Sequence, residues 1–191
     1  MTLDEIVGDY IREYRDDARD EMREFRSEHS PAAAIRRAAL SQRRNGKRHP
    51  HQRRIPIAVL RRAEERLQAV RPALAKAPDF AVLHRLVEEE IECITGIGEL
   101  TVYDIAHRIG AHYGKAPSLV YLHAGTRTGA RALNVKGDSF DPAILPEPFS
   151  GLSPAEIEDC LCIYKDELNG RSQRNRRGSA CAVLRRQRRC P

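Results

Sequence analysis

The stretch Thr95-Gly96-Ile97-Gly98-Glu99-Leu100-Thr101 restricts the possible folds of this chain more than any other. An apolar-periodic segment, Phe80 to Ile94, runs into it, and a second, Val102 to Tyr113, runs out of it. Apolar residues at three- and four-residue steps mark both flanks as helices. Gly96 and Gly98 supply the backbone freedom that so short a turn between helices demands. Ile97, apolar between them, is placed to plug the angle between the two helices. Thr101 stands where its hydroxyl can bond amides in the first turn of the second helix.

The remaining punctuation is helical as well. Aromatics make up only 5% of the chain and Trp is absent, so the core must be built from Leu, Ile, Val and Ala. With few β-branched runs, the fold class is all-α, a multi-helix bundle. Thr2-Leu3-Asp4-Glu5 is a capping-box pattern. Leu3, Val7, Tyr10, Tyr14, Ala18, Met22 and Phe25 continue it as one amphipathic helix over 3–28. Ser30-Pro31 starts a short helix over 31–42. Pro56 opens another toward Lys76, which Pro72 should kink or end near Val70. Asp79 caps the helix before the glycine turn, and Gly114 ends the one after it. Residues 134–150 are irregular. Ser153-Pro154-Ala155-Glu156 starts the helix that Asn169-Gly170 stops.

Charge divides the chain into three regions: 1–54, 55–170 and 171–191. Net charge is +6, yet residues 1–28 hold ten acids against five Arg. Residues 31–54 hold eight Lys/Arg and no acid, and 171–191 hold eight Arg and no acid. That leaves 55–170 net negative by five. The positive charge therefore lies in a loop and in a tail expected to be disordered, not in the helical core. The loop, Arg43-Arg44-Asn45-Gly46-Lys47-Arg48-His49-Pro50-His51-Gln52-Arg53-Arg54, is the best electrostatic candidate for phosphate.

The string Ile94-Thr95-Gly96-Ile97-Gly98, with Thr101 and Ile105-Ala106 after it, resembles the helix-hairpin-helix motif, here spanning 80–114. The resemblance implies that amides at the start of the second helix face solvent and hold a phosphate oxygen. The amides of Gly96, Ile97, Gly98 and Glu99 would do this, supported by Thr101 and by Arg108, Arg127 and Arg131. Arg43, Arg44, Lys47 and Arg48 of the basic loop would add attraction. Such contacts hold backbone rather than bases, so the implied partner is DNA bound without sequence specificity. The wider segment 94–133 also resembles the helix-hairpin-helix DNA glycosylases. Where some of these carry a nucleophilic Lys this chain has Leu100, and where they carry a catalytic Asp it has Leu122 or His123. The expectation is a non-enzymatic protein, with His123 and Asp104 or Asp138 as the residues of an atypical base-processing site if there is one.

Other functions have less support. No apolar run approaches the roughly 20 residues of a membrane span, and the acidic N-terminus does not read as a signal peptide, so a cytoplasmic protein is expected. The five Cys form no CxxC pair, which suits a reducing compartment. His49 and His51 bracket Pro50 without a third ligand, so no metal is expected, and no cofactor. Glu88-Glu89-Glu90 with Glu92 reads as a solvated face. Gly125 to Leu133 lacks the GK[ST] end of a phosphate loop and reads as small residues packing against the hairpin helices. A protein partner along the acidic N-terminal helix, with the glycine turn purely structural, is the competing expectation.

Overall fold

The computed structural model describes residues 1–170, over which the chain is mostly helical. The longer helices are α1 Leu3–Glu13, α2 Arg15–Arg26, α3 Pro31–Ala39, α4 Ile57–Ala69, α5 Arg71–Lys76, α6 Phe80–Ile91, α7 Glu99–His112, α8 Ala124–Ala132 and α9 Pro154–Ile163. Short 3-10 turns cover Pro142–Ile144 and Glu147–Phe149, and after a break at Tyr164 helical geometry resumes over 165–170, past the stop expected at Asn169-Gly170. Two two-residue strands, β1 Val120–Tyr121 and β2 Ser139–Phe140, pair antiparallel with Val120 opposite Phe140. The Arg-rich stretch 171–191, with Cys181 and Cys190, lies outside the described residues. No helix among the described residues is long and apolar enough to cross a membrane.

The expected helix over 3–28 is two helices. Tyr14 leaves helical geometry at φ −127° and separates α1 from α2. The apolar stripe runs on without a gap, but its halves belong to different cores. The described residues form two compact units: a terminal unit of Met1–Glu13 with 119–170, and a central unit of Tyr14–Ser118. Ile6, Val7 and Tyr10 are buried in the first and Phe25 in the second. The partition follows burial rather than the charge blocks of the sequence.

In the central unit α7 is the hub, packing against α2, α3 and α6. Its buried positions run round the helix and include Val102, Tyr103, Ile105, Ala106, Arg108 and Ile109. A helix enclosed in this way lacks the usual solvent face. α3 also packs on α4, and α4 and α5 on α6. Ser30 caps α3 by accepting from the Ala33 amide, and Asp79 caps α6 by accepting from Val82. Pro72 sits in the first turn of α5, so the long helix from Pro56 stops at Ala69 and restarts.

In the terminal unit α1 and α9 pack together, α8 packs on α9, and the strand pair lies against α9. Ile6, Val120, Phe149, Ile157, Leu161 and Leu168 are central to its core. Ser153 and Glu156 form the full capping box at the start of α9. The small-residue segment is α8, and its neighbour is α9 rather than the hairpin helices, which belong to the central unit. A Cβ on Gly129 would lie 2.2 Å from the Leu161 carbonyl oxygen, so glycine sets how closely the two helices approach.

Candidate functional site

The glycine turn packs on the start of α4, the helix that the basic loop leads into. Gly96 adopts φ +100°, a left-handed conformation that favours glycine. A Cβ there would sit 3.6 Å from Val59, in the first turn of α4. α4 follows directly on the basic loop. The turn is thereby docked beside the point where residues 53–56 lead into the helix.

The start of α7 differs from the expectation in one respect. Gly98, not Thr101, occupies the N-cap, in extended geometry and with no side-chain cap. The Thr101 amide donates to the Gly98 carbonyl at 2.8 Å, and its side chain is buried within the unit. The Ile97 amide is also occupied, donating to Ile94 O at 2.9 Å, and its side chain is half-buried. Among the described residues the amides of Gly96, Gly98 and Leu100 make no hydrogen bond. Gly96 and Gly98 are exposed, as is Glu99, an acid in the first turn of α7.

The basic loop is an ordered structure. Gln42 and Arg48 form an antiparallel bridge, and the Arg43 amide donates to Lys47 O at 2.8 Å. Arg43, Arg44, Lys47, Arg53 and Arg54 are exposed, and none makes an ion pair among the described residues. Arg48 is half-buried and donates to the Ile55 carbonyl, so it braces the loop from within. A depression of about 290 Å³ opens between α3 and the loop, lined by Arg36, Arg37, Gln42, Arg43, Arg44 and Glu28. Arg37 is neutralised there by Glu24 and Glu28. Arg36 lies 3.9 Å from Glu64, and Arg43 and Arg44 make no ion pair among the described residues.

Beneath the loop lies a buried polar network that sequence reasoning did not find. Arg108 is 5% exposed, and its Nε donates to Glu21 Oε1 at 2.8 Å. Its guanidinium also lies 3.9 Å from Asp104, which accepts from the Gln52 amide. Gln52 Oε1 accepts from the Ser41 hydroxyl at 2.6 Å. His49, 4% exposed, has Nε2 3.5 Å from Glu21 and Nδ1 3.5 Å from Arg43 Nε. Burial first, and then the nearby Arg108 charge, push His49 down to about 4. It is therefore neutral at pH 7. Burial is the largest single influence on the Glu21 carboxyl and raises it, but the charge and hydrogen bond of Arg108, together with the nearby His49 and His107, outweigh it and hold the carboxyl below the usual range. Arg108 was expected at the phosphate. The structure corrects this: the α7 hub encloses it, and its charge is spent on Glu21.

Arg127 and Arg131 belong to the terminal unit on α8. Arg127 is half-buried and 3.1 Å from Asp138, while Arg131 is exposed. In this unit His123, at the N-cap of α8, meets the Glu158 carboxylate on α9. Thr126 donates to the same Glu158 oxygen at 2.8 Å. His123, Thr126 and Glu158 are all under 9% exposed. The side chains expected to assist His123 lie elsewhere: Asp104 holds Gln52 in the central unit, and Asp138 faces Arg127 with its side chain 96% exposed. Glu158 follows His123 by 35 residues on another helix, a separation that no local pattern in the sequence announces.

Comparison with known protein families, curated proteins and solved structures returns no match to this chain. Among the described residues no group of three or more His, Cys, Asp or Glu could hold a metal ion.

Proposed function

We propose that this protein binds the backbone of nucleic acid through the central unit, without reading base edges. The carrying observation is the set of exposed cations without an ion pair among the described residues, Arg43, Arg44, Lys47, Arg53 and Arg54, displayed on an ordered loop that leads into the helix on which the exposed glycine turn packs. Inside the unit Arg37 is matched to Glu24 and Glu28, and Arg108 to Glu21, whereas Arg61, Arg62, Arg71 and Lys76 are exposed and unmatched among the described residues but lie along helices. Unmatched cations clustered on one loop suit a polyanion and raise its rate of encounter. The amides of Gly96, Gly98 and Leu100 supply polar donors at the start of α7, in keeping with the helix-hairpin-helix resemblance.

Glu99 is unfavourable to a phosphate at that turn, so the loop carries more of the binding energy than the amides do. Arg108 takes no part in the contact. Fluorescence anisotropy on short duplexes, with the salt concentration varied, tests the reading. Binding that weakens steeply with salt and depends on the loop cations supports it. A protein that binds no nucleic acid at low salt refutes it and leaves the exposed acids of α2, Asp16, Asp17 and Asp20, as the surface to explain.

A further inference from the structure

We propose that the tip of the basic loop is a finger whose cationic side chains enter the minor groove of B-form duplex DNA; this rests on the nucleic-acid reading above and names its substrate. The Gly46 amide donates to Arg43 O at 2.9 Å, closing a turn over Arg43–Gly46. Gly46 then adopts φ +77°. A turn followed by a left-handed glycine is the three-residue hairpin connection that suits two twisted strands. The Lys47 amide donates to Asn45 Oδ1 at 3.0 Å and stiffens the apex. Arg44 and Asn45 therefore stand at the tip, flanked by Arg43 and Lys47, and all four are exposed.

The base of the finger is anchored from both sides. Ser41 and Gln52 are each 1% exposed and hydrogen-bonded to one another. The His49 amide donates to Ser41 O at 2.9 Å. A finger held this firmly loses little conformational freedom when it binds, which favours contact with a fixed shape.

The chemistry of the tip selects among nucleic acids. It carries no aromatic side chain, so it offers no stacking platform for unpaired bases. It carries no apolar wedge, so it is not built to pry base steps apart. What it offers is two or three cationic side chains on a tight, anchored turn; the paired backbones are too wide for the minor groove, so only those side chains reach into it. The B-DNA minor groove is about 6 Å wide, and where A-tracts narrow it further its negative potential draws in arginine. The minor groove of A-form RNA is wide and shallow and focuses no such potential. The selection is by groove width, so it is compatible with a protein that reads no base edge.

The test compares the full chain with an Arg44→Ala/Lys47→Ala variant on three duplexes of equal length: A-tract DNA, G·C-rich DNA and RNA. Both proteins are checked by circular dichroism, and netropsin is added as a minor-groove competitor. The expected result is a preference of about tenfold for the A-tract duplex, the size of one good groove contact. The preference should disappear in the variant and under netropsin. Equal affinity for all three duplexes, or no effect of netropsin, overturns the finger while leaving backbone binding intact. No binding to any duplex overturns the nucleic-acid reading, and the finger with it.

Discussion

Arg108 and Glu21 form an ion pair across 87 positions of sequence, with Arg108 Nε 2.8 Å from Glu21 Oε1. The pair joins α7 to α2 inside the central unit, and the His49 ring lies against the same carboxylate. Removing one partner leaves the other charged without compensation. Because the Glu21 side chain is 27% exposed, Arg108→Met should cost about 2–3 kcal/mol, below the loss typical of a fully buried pair. The double variant Glu21→Gln/Arg108→Met should cost less than the sum of the singles. Urea unfolding of the parent, of Arg108→Met, of Glu21→Gln and of the double variant measures this. If Arg108→Met is neutral in stability but abolishes nucleic-acid binding, its assignment as a structural residue is wrong.

His49 makes stability depend on pH. Its folded value, about 4, lies below its ordinary 6.5. The unfolded chain therefore binds the proton more readily, and stability falls as pH drops from 6.5 toward 4. Glu21, held low in the fold, adds a loss of the same sign once the pH falls below the ordinary carboxyl range. Between pH 7 and 4.5 the His49 contribution is about 2 kcal/mol. His49→Gln should flatten that part of the profile in urea melts at the two pH values. A slope as steep as that of the parent would place the acid sensitivity elsewhere.

At Gly129 α8 lies directly against the backbone of α9. Gly129→Ala puts a methyl 2.2 Å from the Leu161 carbonyl oxygen, and backbone on both sides prevents a cheap adjustment. The expected loss is about 2 kcal/mol or more, read as a lower melting temperature. Gly8→Ala, on the exposed face of α1, is the control: its Cβ meets nothing within 4 Å. A Gly129→Ala protein as stable as that control would contradict the close packing of α8 on α9.

Glu158 satisfies two buried partners, His123 and Thr126. Glu158→Ala leaves both without it and should cost about 1–3 kcal/mol in unfolding free energy. Glu158→Gln retains one acceptor and should lose less. If the two variants prove equally stable, the cluster is not held together by this carboxylate.

The helix boundaries that have chemical punctuation could be read in the sequence. Ser30-Pro31, Asp79 and the Ser153–Glu156 box cap the helices they were expected to cap. Pro72 ends a helix for the reason expected of it. The break at Tyr14 could not be read, because the apolar stripe that suggests one helix serves two cores in turn. Thr101 looked like a cap because hydroxyls favour that role, but the glycine three residues earlier already occupies it. Arg108 looked like a surface cation because arginine seldom enters a core. Its acid lies on a distant helix. His49 and Gln52 looked like loop residues for the same reason: the partners that bury them, Glu21 and Asp104, are remote in sequence.

The most direct measurement is the salt dependence of duplex binding by the full chain and by an Arg43→Ala/Arg44→Ala/Lys47→Ala variant. Both contain the same Arg-rich tail, so any difference belongs to the loop. The account predicts weaker binding by the variant and a logarithmic salt slope shallower by about 2–3, roughly 0.9 for each phosphate that the variant no longer neutralises. Equal affinities and equal slopes would contradict it.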